Sequence, residues 1–312
     1  MPVFQIQHIT KYEYEYPVWE SVNFIKLYPR TDNGQEVLSH QIHLHDGEAR
    51  IETFTDYFGN TTGVFNILGH HQELVIDSIL KVRTLAPDRS GYHGGDVSDW
   101  ETIAGTRLKD LHLLDLSRPE ALEQGAEMDE IIRQCYSPDA PPYATVMKSM
   151  AFIFDHFQYV KGITSVETTI DEVLAHRSGV CQDFAHDLLQ ILRTVGIPAR
   201  YISGYICPNK NGMRGEGATH AWVEAWLPGA GWVGVDPTNN VLVTDTHVTL
   251  TAGRNFSDCT PVKGTFKGGA SHALSVYVSV GYEDGHISRE HNALQMPQIS
   301  SAQMAIDHAQ QQ

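Results

Sequence analysis

Cysteine is scarce in this 312-residue chain: four residues, at positions 135, 181, 207 and 259, with no Cys-x-x-Cys pair among them. That spacing excludes the common structural zinc sites and a disulfide scaffold, and it fits a reducing compartment in which a thiol stays free. Basic residues are also few. Lys and Arg number 22 against 38 Asp and Glu, a formal net charge of −16, which argues against nucleic acid or an anionic membrane as a partner. No apolar run approaches the roughly 20 residues that span a bilayer. The start, Met1-Pro2-Val3-Phe4-Gln5-Ile6-Gln7-His8, has neither the basic nor the apolar stretch of a secretory signal. The expectation is a cytoplasmic protein without membrane contact. Histidine is plentiful at 17, yet neither His43 with His45 nor His70 with His71 has zinc-site spacing. His-Glu-x-x-His and EF-hand patterns are missing too, so no metal and no cofactor is expected.

What is present suffices for two cores: 41% of the residues are hydrophobic. Residues 1–85 read as a β-rich domain, with Tyr12, Tyr14 and Tyr16 alternating with Glu13 and Glu15, and a β-branched run over 75–82. Residues 86–116, richer in Gly, Asp and Pro, read as a linker or loop. From 117 to 282 the pattern is helices first and strands after, an α+β order. Ser117-Arg118-Pro119-Glu120 and Thr169-Ile170-Asp171-Glu172 have the form of capping boxes that open helices. Val146, Met150, Ile153, Phe154 and Phe157 mark another helix, and Val276 to Val280 a late strand. Residues 283–312 are polar and Gln-rich, a disordered tail by composition.

The chemistry concentrates around Cys181. In Ser178-Gly179-Val180-Cys181-Gln182-Asp183-Phe184-Ala185 a turn runs into a helix whose apolar face is Phe184, Leu188, Ile191 and Val195, closed by Gly196 and Pro198. Cys181 falls in its first turn, where free N–H groups and the helix dipole favour a thiolate and could hold an oxyanion. Downstream, Thr219 to Leu227 alternates with period two, turns at Pro228-Gly229-Ala230-Gly231, and returns through Trp232 to Asp236. If residue 222 faces residue 236, His220 and Asp236 are diagonal neighbours on one face, about 7–8 Å apart at the backbone. A slip of one residue would separate them. Thiol, imidazole and carboxylate then make a set for nucleophilic acyl transfer, with Cys181 attacking, His220 taking its proton and Asp236 fixing the tautomer.

These residues resemble the transglutaminase-like superfamily of papain-type cysteine enzymes, in its bacterial branch with a β-rich N-terminal region. The resemblance runs through Tyr159-Val160-Lys161-Gly162, Gly179 to His186, Gly196 to Tyr201, Ser203-Gly204-Tyr205, His220 to Glu224 and Gly231 to Thr238. It implies an α+β fold: a papain/transglutaminase-like core with helices packed on an antiparallel sheet, preceded by a β-rich domain. It places the family's nucleophile, base and orienting acid on Cys181, His220 and Asp236. Gly253 to Asp258 is similar to a family segment that more often reads Gly-Arg-Asp-Tyr. Tyr159, upstream of the cysteine, is a candidate oxyanion donor by the same likeness. Family members include proteases, amidases and cross-linking acyltransferases.

Plainer readings hold elsewhere. Cys135, Cys207 and Cys259 read as buried small hydrophobes, and Asp183 as a first-turn charge beside Asp187. Trp222, Trp226 and Trp232 read as cover for the sheet, with Trp222 on the His220 face. The expected function is cysteine-dependent acyl transfer on a protein or peptide amide, through a Cys181 thioester resolved by water more readily than by an amine. The alternative is a non-catalytic binding or assembly module that keeps the fold. Nothing in the sequence sets an oligomeric state.

Overall fold

Period-two alternation dominates the first 84 residues and folds them into strands in the computed structural model, which describes residues 1–32, 34–45, 49–87, 93–123, 125–164, 168–207, 213–215, 218–283 and 287–292. The strands are β1 (Val3–Ile25), β2 (Gln35–Leu44), β3 (Glu52–Thr55), β4 (Thr61–Ile67) and β5 (His71–Thr84). β1 is the spine. Its first half pairs with β5 and buries Phe4, Ile6 and His8, and its second half pairs with β4 and buries Ile25. An irregularity between Glu13 and Val18, followed by Glu20 at φ 48°, lets one strand bend and change partners.

Helices follow: α1 (Asp99–Arg107), α2 (Leu111–Leu116), α3 (Gly125–Cys135) and α4 (Pro142–His156). The first two occupy the stretch expected to be a linker. Ile103, Leu113 and Leu116 anchor them in the interior, and the Asp110 carboxylate caps α2 by accepting from the His112 and Leu113 N–H groups. The motif at Ser117 does not open a helix. The Ser117 hydroxyl donates back to Leu114, and the Glu120 carboxylate is taken by Arg254 and Asn255, so neither half of the box is free. The motif at Thr169 does form, opening α5 (Ile170–His176).

β6 (Gln158–Tyr159), β7 (Ser178–Gly179) and α6 (Cys181–Thr194) lead into an antiparallel sheet. Its strands are β8 (Ala199–Ile206), β9 (Thr219–Leu227), β10 (Gly231–Asp236), β11 (Val241–Leu242) and β12 (His247–Gly253), in the order β11-β10-β9-β8-β12. α6 packs its apolar face on this sheet, with Phe184, Leu188 and Ile191 buried against Ala221, Val223 and Ala225. The α+β architecture is therefore the expected one, a helical layer on an antiparallel sheet preceded by a β-rich domain.

After α7 (Phe256–Cys259) the chain departs from its expected course. β13 (Val262–Lys267) and β14 (His272–Tyr282) belong to the first sheet, both pairing with β1. β15 (Ile287–Asn292), within the stretch expected to be a disordered tail, pairs with β14. A 23-residue β1 offers more edge than local hairpins use, and non-local strands fill it. Residues 293–312 lie outside the described residues. Polar clamps join the two sheets. The buried Asn60 amide makes both hydrogen bonds of the Ala252 backbone, 2.7 and 2.8 Å, and Gln35 bonds Thr249 in the same way at 2.8 and 2.7 Å.

Candidate active site

Two short strands and a carboxylate place Cys181. β6 and β7 pair in parallel, Tyr159 opposite Gly179, and the Val160 N–H donates to Gly179 O at 2.9 Å. The chain then turns into α6, with Cys181 as its first residue. The entry is fixed by Asp183, whose Oδ2 accepts from the Val180 N–H and from the Thr164 hydroxyl, each at 2.7 Å. Asp183 is thus more than a favourable first-turn charge: it is buried and ties the nucleophile turn together. Burial raises its pKa, only partly offset by these hydrogen bonds. Cys181 is half-buried, whereas Cys135, Cys207 and Cys259 are buried. Burial also pushes the Cys135 thiol up, and that of Cys259 up to about 12.

The hairpin supplies the other two groups, in the register on which their neighbourhood is conditional. Val223 faces Val235 and Ala225 faces Val233, a pairing whose next step sets residue 222 opposite 236. His220 Nε2 lies 2.9 Å from Asp236 Oδ2, and both side chains are fully buried. Burial by itself would lower the imidazole pKa, but the Asp236 charge and then Cys181 outweigh it and raise it to about 10. With Nε2 committed to Asp236, Nδ1 is the nitrogen available to Cys181, and among the described residues it has no hydrogen-bond partner. For Asp236, burial works to raise the pKa, but His220 and His247 together hold the carboxyl far below the usual carboxylate range.

Three neighbours of the pair were not evident in the sequence. The Asn239 amide donates to Asp236 Oδ2 at 2.8 Å and to Arg214 O at 3.1 Å, while its oxygen accepts from the Arg214 N–H at 2.8 Å. Gly215 lies directly against His220 Nδ1. His247, from β12 on the far edge of the sheet, brings Nε2 to 3.6 Å from Asp236 Oδ2. Asn239 follows an Asp-Pro-Thr turn and could be read as one more turn residue, and His247 has no local signal at all. Trp222 shares the His220 face as the alternation implies, but it is fully buried, its ring 6.2 Å from His220 and 5.2 Å from His247. Trp232 lies under the Arg200 guanidinium at 4.3 Å. The Tyr159 ring packs 6.2 Å from Phe184. Among the described residues no three His, Cys, Asp or Glu side chains converge to hold a metal ion. Nor is any described helix long and apolar enough to cross a membrane.

Comparison with known proteins bears on the family and the fold. Residues 129–237, a span that holds Cys181, His220 and Asp236, match the transglutaminase-like superfamily, and residues 4–83 match the bacterial transglutaminase-like N-terminal region. The chain belongs to the transglutaminase-like superfamily. An uncharacterized protein of Mycobacterium leprae is 30% identical over 285 residues, covering 88% of this chain and 97% of that one. One from Mycobacterium tuberculosis H37Rv is 32% identical over 274 residues, covering 84% and 86%. A protein-glutamine gamma-glutamyltransferase of Pseudomonas aeruginosa is 33% identical over 143 residues, covering 44% of this chain and 20% of that one. The crystal structure of a proposed cysteine protease from Cytophaga hutchinsonii superposes with a TM-score of 0.72 at 20% identity, over 96% of this chain and 97% of the other. Such a likeness shows the fold. Asn239 and His247 lie beyond the segment matched to the superfamily core.

Proposed function

We propose that the protein is a cysteine-dependent acyl-transfer enzyme acting on a peptide or isopeptide-like amide. One observation carries the reading: a buried imidazole bonded through Nε2 to a buried carboxylate at 2.9 Å, in a fold that also sets a half-buried thiol at a helix start. In this sequence of steps His220 takes the Cys181 proton and the sulfur attacks the carbonyl carbon. The first-turn N–H groups of α6, which have no intrahelical acceptors, face the developing oxyanion. His220 returns the proton to the leaving nitrogen, the C–N bond breaks, and a Cys181 thioester remains. Water then attacks the thioester with His220 again as base, releasing a carboxylic acid and restoring the thiol. Hydrolysis is favoured over amine transfer because water needs no second binding site.

The test is alkylation of each cysteine by iodoacetamide across pH, followed by peptide mass spectrometry, in wild type and His220→Ala. Cys181 is expected to react fastest near neutral pH and to lose that advantage without His220. Equal behaviour of Cys181 in both proteins sinks the reading. Product analysis with and without a primary amine then separates hydrolysis from transfer, and exclusive amide exchange would reverse the assignment to water.

A further inference from the structure

Asp236 has an unusually full set of partners for a carboxylate whose assigned task is to hold one imidazole. Oδ1 accepts from the Thr238 N–H at 2.9 Å. Oδ2 faces three nitrogens: His220 Nε2 at 2.9 Å, Asn239 Nδ2 at 2.8 Å and His247 Nε2 at 3.6 Å. The three come from separate parts of the chain, β9, the turn after β10, and β12. His247 is itself held. Its Nδ1 accepts from the Thr244 N–H at 3.4 Å, which leaves Nε2 as the protonated nitrogen of a neutral ring, directed at the carboxylate. The Trp222 ring stands edge-on to it at 5.2 Å, and the side chain is fully buried.

A buried polar ring is costly unless it has a task, and here a packing role alone would be met by Phe or Leu. A carboxylate can rotate about its Cβ–Cγ bond, and rotation away from His220 would free the imidazole to change tautomer or swing. Further donors to the same oxygen oppose that rotation. We infer that His247 is a positioning residue of the active site, holding the Asp236 carboxylate in the orientation and charge state that keep His220 directed at Cys181. Asn239 acts in parallel and also ties Asp236 to the Arg214 backbone. The charged or titratable groups facing Asp236 among the described residues are then His220 and His247, with Cys181 beyond His220.

The inference rests on the reading of Cys181, His220 and Asp236 as the reacting set, and the experiment separates the two. Cys181 alkylation by iodoacetamide is followed from pH 5 to 10 in wild type, His220→Ala, His247→Gln and His247→Phe, with thermal unfolding of each. Gln carries a donor nitrogen near the place of Nε2, and Phe carries none. The expected result is that His247→Phe slows Cys181 at neutral pH by about threefold to tenfold, the order for a polar contact to a charged group at 3.6 Å, longer than a full hydrogen bond, and narrows the pH range of fast reaction. His247→Gln is expected to restore both to within about twofold. A merely structural histidine would lower the melting temperature without moving the profile. If the profiles of folded His247→Phe and wild type superimpose, the inference fails while the proposed function stands. If wild-type Cys181 shows no dependence on His220, the proposed function fails first. Should His247→Phe not fold, His247→Asn, whose amide is too short to reach Asp236, takes its place: a slowed Cys181 supports the inference and an unchanged profile overturns it.

Discussion

Gly215 leaves no space between itself and His220: a Cβ on residue 215 would stand 2.6 Å from Nδ1, and the residue has φ +80°. Nδ1 is the ring nitrogen not bonded to Asp236, so the fold brings bare backbone against the one place where a side chain would disturb the base. Gly215→Ala is expected to reduce Cys181 alkylation at neutral pH by at least about tenfold, as a ring displaced from its bond to Asp236 loses its proton-accepting geometry. Gly229→Ala is the control. It has φ +74° with nothing within 4 Å, so it carries only the left-handed backbone cost of about 1 kcal/mol. Equal loss of reactivity in both variants would show that strain, not contact with His220, is responsible.

Gly179 has the same relation to Asp183. A Cβ there would meet Oδ2 at 2.5 Å and the Asp183 Cβ at 2.7 Å. The carboxylate that ties Val180 and Thr164 would have to move, so Gly179→Ala is expected to cost about 1–3 kcal/mol, the range for overpacking a tight site, and to slow Cys181. In an Asp183→Ala background the same change is expected to cost much less. Additive effects in that double-mutant cycle would refute the steric account.

Why the reacting set was legible and its supports were not follows from sequence distance. Cys181 is marked by its own helix, and His220 and Asp236 by one hairpin, whose alternation assigns their faces while the register that joins them has to be assumed. One support is remote, since His247 reaches Asp236 from a strand not adjacent to β10; outside the site, Asn255, where the family more often has Asp, donates to Glu120 at 3.0 Å while accepting from Arg193 at 3.0 Å. That use of Glu120 is also what cancels the helix start read at Ser117. The pairing of β13 and β14 with β1 spans more than 200 residues and leaves no periodic trace. The motif at Thr169 could be read because both its halves bond to each other.

Asn60 tests how firmly the two sheets are joined. Its amide answers both polar groups of Ala252 and also receives Arg30 at 2.9 Å. Asn60→Ala would leave a buried N–H and C=O without partners, an expected loss of about 2–4 kcal/mol at about 1–3 kcal/mol for each unsatisfied group. Chemical denaturation measures it directly. A change below about 0.5 kcal/mol would mean that water replaces the amide and that the clamp is not structural.

Asp187 gives a prediction with a pH sign. It is fully buried on α6, among the described residues neither oxygen has a hydrogen-bond partner, and burial first, then the charges of Asp183 and Glu127, raise its pKa well above the ordinary carboxylate value. The native state therefore holds a proton that the unfolded chain has already lost. Its contribution is most favourable below the unfolded carboxylate pKa and is lost as pH rises toward the native one. Asp187→Asn keeps the shape and the unpaired polar groups but carries no proton to lose. The variant is expected to melt higher than wild type at pH 8, by about 2–4 °C for each ~1 kcal/mol in a domain of this size, and the gap is expected to close toward pH 4. A gap that stays constant with pH, or that widens on acidification, would show that Asp187 is ionised in the native state and has found a partner there.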